Sequence, residues 1–379
     1  MKLRLLKFDT INPEAYLKTK IVTNKDEIEK MGRKETLDWI ISLRSNFSDF
    51  YTYYFRKHGW EAEEFFVTDI YLKKVADELY GNKLGIINST DRIKNLIRPV
   101  KNRRKLNVIS DYIKLYKPDV IFVREQTGIP SDLWKNSGKH SLIVSRLAAP
   151  LPYKWAPSDW DLILTSTMVY KKFFEINNVN SIINHNGFDF RILDELKAGE
   201  KKFDVTFIGG VGKRFWKKRT KLIEKLSEME NFKWWGYIED EFPKDSLIIK
   251  AWQGITSGLD MLQIYKDSKI VVNDYVDMAD GEGVNQRIFE VMGVGSLLLT
   301  RESETLKRNF PENVFATFGS DEDCKERIKY FLSNDAEREE IAKKGQEYIK
   351  SNYNYDNLMK DLSGLLRESY FTKFEPEAK

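Results

Sequence analysis

Short apolar runs bounded by turn residues alternate along this chain with longer stretches in which apolar positions recur at helical spacing. Continuous apolar runs of strand length belong to strands buried on both faces, and their alternation with helices predicts parallel sheets in an α/β fold. In the first half the runs are "LRLLKF", "AEEFFVT", "PDVIFVRE", "HSLIVS", "DLILTS" and "SIINHN". The amphipathic stretch "LNVISDYIKLYKP" before "DVIFV" predicts a helix stopped by Pro118. The second half restarts the pattern. "FDVTFIGG", "FKWWGYI", "SKIVVND", "GSLLLT" and "NVFATF" read as strands, and "WKKRTKLIEKLSEM" reads as a helix after the first of them.

Between the halves, "HNGFDFRILDELKAGEKK" carries a turn and then a charged segment, the composition of a linker. The pattern therefore predicts two doubly wound domains in tandem, at 1–186 and 200–352, with a helical region at 353–379 and a loose charged tail after Ser369. A length of 379 residues with 41% apolar residues supplies two cores of ordinary size. The net charge of +4 is too small over this length to announce a nucleic-acid binder. One cysteine, Cys324, excludes an internal disulfide and a cysteine-rich metal site, and on a polar helix it reads as half-exposed. Charges at Lys2, Arg4 and Lys7 interrupt any signal-peptide core, and no apolar run reaches membrane-spanning length, so a cytoplasmic location is expected.

Two stretches carry candidate chemistry. In "FIGGVGKRFWKKR" a strand ends at Gly209, Gly210 and Gly212, and the next helix brings Lys213, Arg214, Lys218 and Arg219. Backbone amides and a helix N-terminus there suit a phosphate, although the glycine spacing matches neither the dinucleotide fingerprint nor a Walker loop. In "EGVNQRIFEVMGVGSLLLT" Asn285 stands at a helix start, and Arg287 and Glu290 share a face three residues apart. Glu282 precedes them, with seven residues between it and Glu290. Each stretch also admits a plain reading: a tight connection with a solvated basic helix, and an exposed ion pair on an ordinary helix. "DYVDMAD" offers Asp274, Asp277 and Asp280, which read as a solvated loop before a metal site, and the expected metal set is none. The basic run Arg98–Lys105 reads as a solvated helix face, then as a contact for anionic lipid.

"SKIVVNDYVDMADGEGVNQRIFEVMGVGSLLLT" resembles the nucleotide-sugar-binding core of GT-B glycosyltransferases (glycosyl transferases group 1), and within them the CgeB-like group. The shared pattern is Asn285, Arg287 and Glu290 followed by Gly293, Gly295 and a buried strand, with "SDFYTYYF", "KPDVIFV", "DLILTST", "NGFD" and "GLDMLQIYKDSK" in matching order from about Ser48 to Asn352. The resemblance implies two Rossmann-like domains facing each other across a cleft, the donor on the second and the acceptor on the first. It assigns Glu290 to the ribose hydroxyls, Glu282 to the donor sugar, and Asn285, Arg287, Arg219 and Lys213 or Arg214 to the diphosphate. Glu282 and Arg287 are thereby the catalytic candidates. Tyr275 stands where relatives often carry a histidine.

The expectation is a metal-independent transferase of hexosyl type that moves sugar from a nucleotide-diphosphate donor to a saccharide or glycoconjugate acceptor in surface-polysaccharide synthesis. It would need no cofactor beyond that donor and would touch an anionic membrane peripherally, at its inner face. A nucleotide-sugar epimerase, a catalytically silent nucleotide-sugar-binding protein and a DNA-modifying transferase of the same fold are the alternatives.

Overall fold

The computed structural model describes residues 2–81, 103–124, 126, 129–147, 155–212, 214, 216–277 and 283–375. The chain forms two compact units, one of residues 1–185 and 359–379, the other of residues 186–358.

The first unit is built on a parallel sheet of β1 (Arg4–Asp9), β2 (Glu61–Phe66), β3 (Val120–Val123), β4 (Leu142–Arg146), β5 (Leu162–Thr165) and β6 (Ser181–Ile183). Its strand order is β2-β1-β3-β4-β5-β6, so the chain leaves β1 in one direction to form β2 and returns to its other side to form β3. The strands are almost wholly buried because helices cover them, and Phe8, Phe65, Tyr71, Ile109, Ile121 and Trp134 join one core. The last helix, Tyr355–Phe374, continues past Ser369 instead of fraying. Tyr370 donates to Asp119 and Lys373 pairs with Asp161 at 2.6 Å, contacts made with residues too distant in sequence to be read from the charged tail.

The second unit has a parallel sheet of β7 (Phe203–Ile208), β8 (Phe232–Trp235), β9 (Ser268–Asn273), β10 (Leu297–Arg301) and β11 (Ala316–Phe318), in the order β11-β10-β9-β7-β8. Here the reversal lies between β7 and β9. β8 stops at Trp235, before the end of its apolar run, because Gly236 adopts a φ of +147° and passes so close to Gly209 that a Cβ would lie 1.8 Å from the Gly209 oxygen. Cys324 is fully buried, which corrects the half-exposed expectation: the helix Asp321–Ser333 is polar in sum but turns Cys324, Ile328 and Phe331 inward at helical spacing. Residues 186–202, within the segment expected as a linker, belong to this unit, held by the Phe188–Asn354 bridge and by the Gln286 side chain donating to the Gly187 oxygen.

Candidate functional site

In open parallel sheets, ligands bind outside the carboxyl ends of strands where the strand order reverses. In the second unit that place lies between the tips of β7 and β9. Arg219, in the first turn of the helix Lys217–Leu226, reaches into it and is only 3% exposed. Its guanidinium donates to the Gly210 oxygen beyond β7 (3.3 Å) and the Asp274 oxygen beyond β9 (2.8 Å), joining the two strand tips. Both partners are neutral carbonyls, and its Nε has no hydrogen-bond partner. Burial, and then the neighbouring Arg287 charge, pull its pKa down to about 9. It remains protonated at neutral pH, at a cost that an arriving anion would relieve.

Arg287 comes from the helix Gln286–Gly293, whose Ile288, Phe289, Val291 and Met292 are buried. Its guanidinium lies 6.0 Å from the Phe207 ring centroid, against 5.8 Å for Arg219. Gly209 leaves room for it, since a Cβ there would come within 3.0 Å of Arg287 Nη2. Glu290, one turn further on, has its carboxyl pushed up to about 7 by burial, with Arg287 pulling the other way. Half-buried by its accessible surface, it is more enclosed than the exposed ion pair of the plain reading. Asn285 occupies the N-cap position but does not cap: its Nδ2 donates to Asn273 Oδ1 (2.9 Å), and its Oδ1 has no partner.

The glycine loop departs from expectation. Its amides were expected to face a ligand, yet Gly209 N donates to Trp235 O, Val211 N to Tyr237 O and Gly212 N to Thr220 Oγ1. These donors are spent inside the fold. The N-terminus of the helix Lys217–Leu226 is also occupied, because the Asp277 carboxylate accepts from the amides of Lys217 (2.7 Å) and Lys218 (3.2 Å). Asp274 is held by both nitrogens of an Arg301 fork at 3.0 Å. The aspartates of "DYVDMAD" are thus bound to the fold rather than solvated, Asp280 lying outside the described residues. Tyr275 is a packing residue: its hydroxyl meets Thr300 Oγ1 at 3.1 Å and its ring fills the space a side chain on Gly283 would need. Arg214 is exposed, and Lys213 and Glu282 lie outside the described residues. The structure therefore brings together Gly209, Gly210, Arg219, Asn285, Arg287 and Glu290.

The sequence did not single out Asp277 as a cap, nor Gly236. A glycine within an apparent strand is the signal that could have found the latter. Asp277 gives no such signal, because its partners lie sixty residues away along the chain.

Residues 217–364 match the family model described as glycosyl transferase-like, a span that contains Arg219, Asn285, Arg287 and Glu290. No curated protein matches the chain in sequence. Among solved structures, the chain is similar to the Anabaena protein Alr3699/HepE in complex with UDP-glucose, at 11% identity and a TM-score of 0.56, over 97% of this chain and 100% of that one. It is similar to a glycosyltransferase from Rickettsia africae ESF-5 at 12% identity and a TM-score of 0.56, over 97% and 98%. A UDP-N-acetylglucosamine 2-epimerase aligns over the whole of both chains at 12% identity and a TM-score of 0.51. The fold is that of the GT-B glycosyltransferases, two Rossmann-like units with parallel sheets. The family match over the second unit supports a glycosyltransferase of this type.

Proposed function

We propose that the protein transfers a hexosyl group from a nucleotide-diphosphate sugar, held by the second unit, to a saccharide or glycoconjugate acceptor in surface-polysaccharide synthesis. The observation that carries this reading is Arg219: a buried guanidinium at the strand-order reversal, bonded only to carbonyls, beside a second guanidinium. Such a pair is suited to a diphosphate. In the reaction the bond from the anomeric carbon to the terminal phosphate oxygen breaks and its electron pair leaves with the nucleoside diphosphate. The anomeric carbon bonds to the acceptor hydroxyl oxygen, whose proton is released. Arg219 and Arg287 stabilise the charge gathering on the departing diphosphate, so no metal is needed for that task. Glu290 accepts from the ribose hydroxyls.

Arg219→Ala tests this directly. Binding of UDP and UDP-glucose by calorimetry should weaken by about 10- to 100-fold, the loss of charge-assisted hydrogen bonds worth about 1.5–3 kcal/mol. Unchanged affinity in a folded variant would return the arginine to a purely structural role. Product analysis with UDP-glucose as sole substrate separates slow hydrolysis from epimerisation.

The same reading includes peripheral contact with an anionic membrane, through the helix Met168–Ile176. Val169, Phe173 and Ile176 are spaced to share one face and are exposed, Ile176 by 81%, with Lys172 exposed beside them. No helix among the described residues is long and apolar enough to cross a membrane. Phe173→Glu with Ile176→Glu should abolish cosedimentation with phosphatidylglycerol vesicles and leave UDP-glucose binding intact. Equal cosedimentation of the parent and this variant would remove the helix from that role.

A further inference from the structure

The first unit has its own strand-order reversal, between β1 and β3, and what stands there is separate from the residues assigned above to the donor. Asp9 closes β1, and Arg124 directly follows β3, its amide donating to the Phe8 oxygen. Beneath them Lys7 is fully buried and shared between Glu64 (2.8 Å) and Asp9 (3.0 Å), while donating to the Ser48 oxygen. Arg124 has a side chain only 17% exposed, stacked with its Cζ 3.4 Å from the centroid of the Phe47 ring. Arg146, at the end of β4, lies 5.4 Å from the same centroid and donates to Tyr51 and Asn184.

The polar atoms of this crevice do not all find partners. Arg124 Nη1 is 3.6 Å from Asp9 Oδ2, beyond hydrogen-bond reach, and neither Nη1 nor Nε of Arg124 has a partner although both are buried. Gln126, two residues on, donates to Ser145, leaving its Oε1 unpartnered, whereas Asp9 Oδ2 is taken up by Lys7 Nζ at 3.0 Å. Lys7, Arg124 and Arg146 supply three positive charges against the carboxyl groups of Asp9 and Glu64. Burial pushes the Glu64 carboxyl up to about 7, which deepens the positive excess near neutral pH. His185 adds none, since burial and Arg146 lower its pKa. Two guanidinium groups beside one aromatic ring, one of them with unpartnered nitrogens, and an unfilled amide oxygen alongside match an oxyanion attached to a hydroxyl-bearing ring.

We infer that this crevice is a binding subsite for an anionic saccharide, one bearing a phosphate or a carboxylate. Arg124 receives the oxyanion on the side of its unpartnered Nε, away from Asp9, and Gln126 Oε1 accepts from a ring hydroxyl. The proposed transferase activity bears on it only in making this saccharide the acceptor or its reducing-end neighbour; the subsite itself is testable without donor. Glucose 6-phosphate, glucuronate and glucose are titrated into the protein presaturated with UDP, and into Arg219→Ala without UDP. Either acidic sugar should bind at least tenfold more tightly than glucose, which of them does so identifying the anion. Arg124→Gln should remove that preference while UDP affinity and melting temperature stay as in the parent. Should Arg124→Gln not fold, Gln126→Glu, which adds a like charge at the end of the same strand, should also abolish it. A preference that survives both substitutions, or no preference in the parent, overturns the inference. UDP binding followed in the same samples distinguishes that failure from failure of the donor site.

Discussion

Asp277 occupies the helix N-terminus that a donor phosphate would take in the proposed reading, and its removal should then make the protein less stable and its ligand tighter. Its carboxylate accepts from the amides of Lys217 and Lys218 at the N-terminus of the helix carrying Arg219. It also acts electrostatically on the Arg219 guanidinium. Replacing a carboxylate cap by alanine costs a helix about 1 kcal/mol. A diphosphate that displaces this carboxylate in the parent bears the same cost on binding, so Asp277→Ala should bind UDP about fivefold more tightly. The melting temperature should meanwhile fall by about 2–4 °C. Asp277→Asn, which keeps an acceptor oxygen without the charge, should fall between the two. Calorimetric titration with UDP and UDP-glucose at fixed ionic strength, paired with thermal melts, reads both quantities. The opposed signs are the point of the test. Affinity that drops together with stability, or does not change, would show that the diphosphate does not replace Asp277.

Glu290 makes pH a second probe. Burial pushes its carboxyl up to about 7 in the folded protein, above the ordinary glutamate value of 4.5, so between those values the native state holds the extra proton and stability falls as pH rises. Glu290→Gln should flatten that part of the stability profile relative to the parent, leaving the contribution of Glu64, which shares the direction. UDP-glucose affinity should rise through about pH 7 with proton release in the parent and be flat in Glu290→Gln; the same slope in both would remove Glu290 from the ribose. A 2′-deoxy nucleotide should be less sensitive to Glu290→Gln than its ribose counterpart, and equal losses would point to general damage instead. Chelation should leave transfer from UDP-glucose unchanged, and activity lost to a chelator and restored by magnesium or manganese would contradict the arginine-based account. Gly236→Ala should unfold the second unit or cost several kcal/mol, because its Cβ has no space beside Gly209; a near-parental melt would refute the close approach.

The inner strands such as β3 and β10 were legible because they are buried on both faces, so continuous apolar runs such as "VIFV" and "LLLT" mark them without any partner being known. Arg219, Arg287 and Glu290 stood out as candidates because they fall near a glycine turn and along one helix. What the residues do with their neighbours was not legible. The fate of the glycine-loop amides depends on Trp235, Tyr237 and Thr220, and the cap from Asp277 depends on a strand crossing. Arg124 gave even less signal, since its surroundings are assembled from Asp9, Phe47 and Arg146, each on a separate segment. The charged surface of the helix Asp321–Ser333 likewise hid how its apolar residues line up inward.

That inward alignment turns Cys324 into a gauge. It is the single thiol of the chain, it belongs to the second unit alone, and burial raises its pKa well above the ordinary thiol range. A disulfide reagent in solution can reach it only when this unit opens. The rate of modification under native conditions therefore measures the opening of the second unit, free of any signal from the other, and slowing by UDP would report ligand occupancy from within the core. A cysteine placed on the surface for a fluorophore would react long before it, so the native thiol need not be removed first.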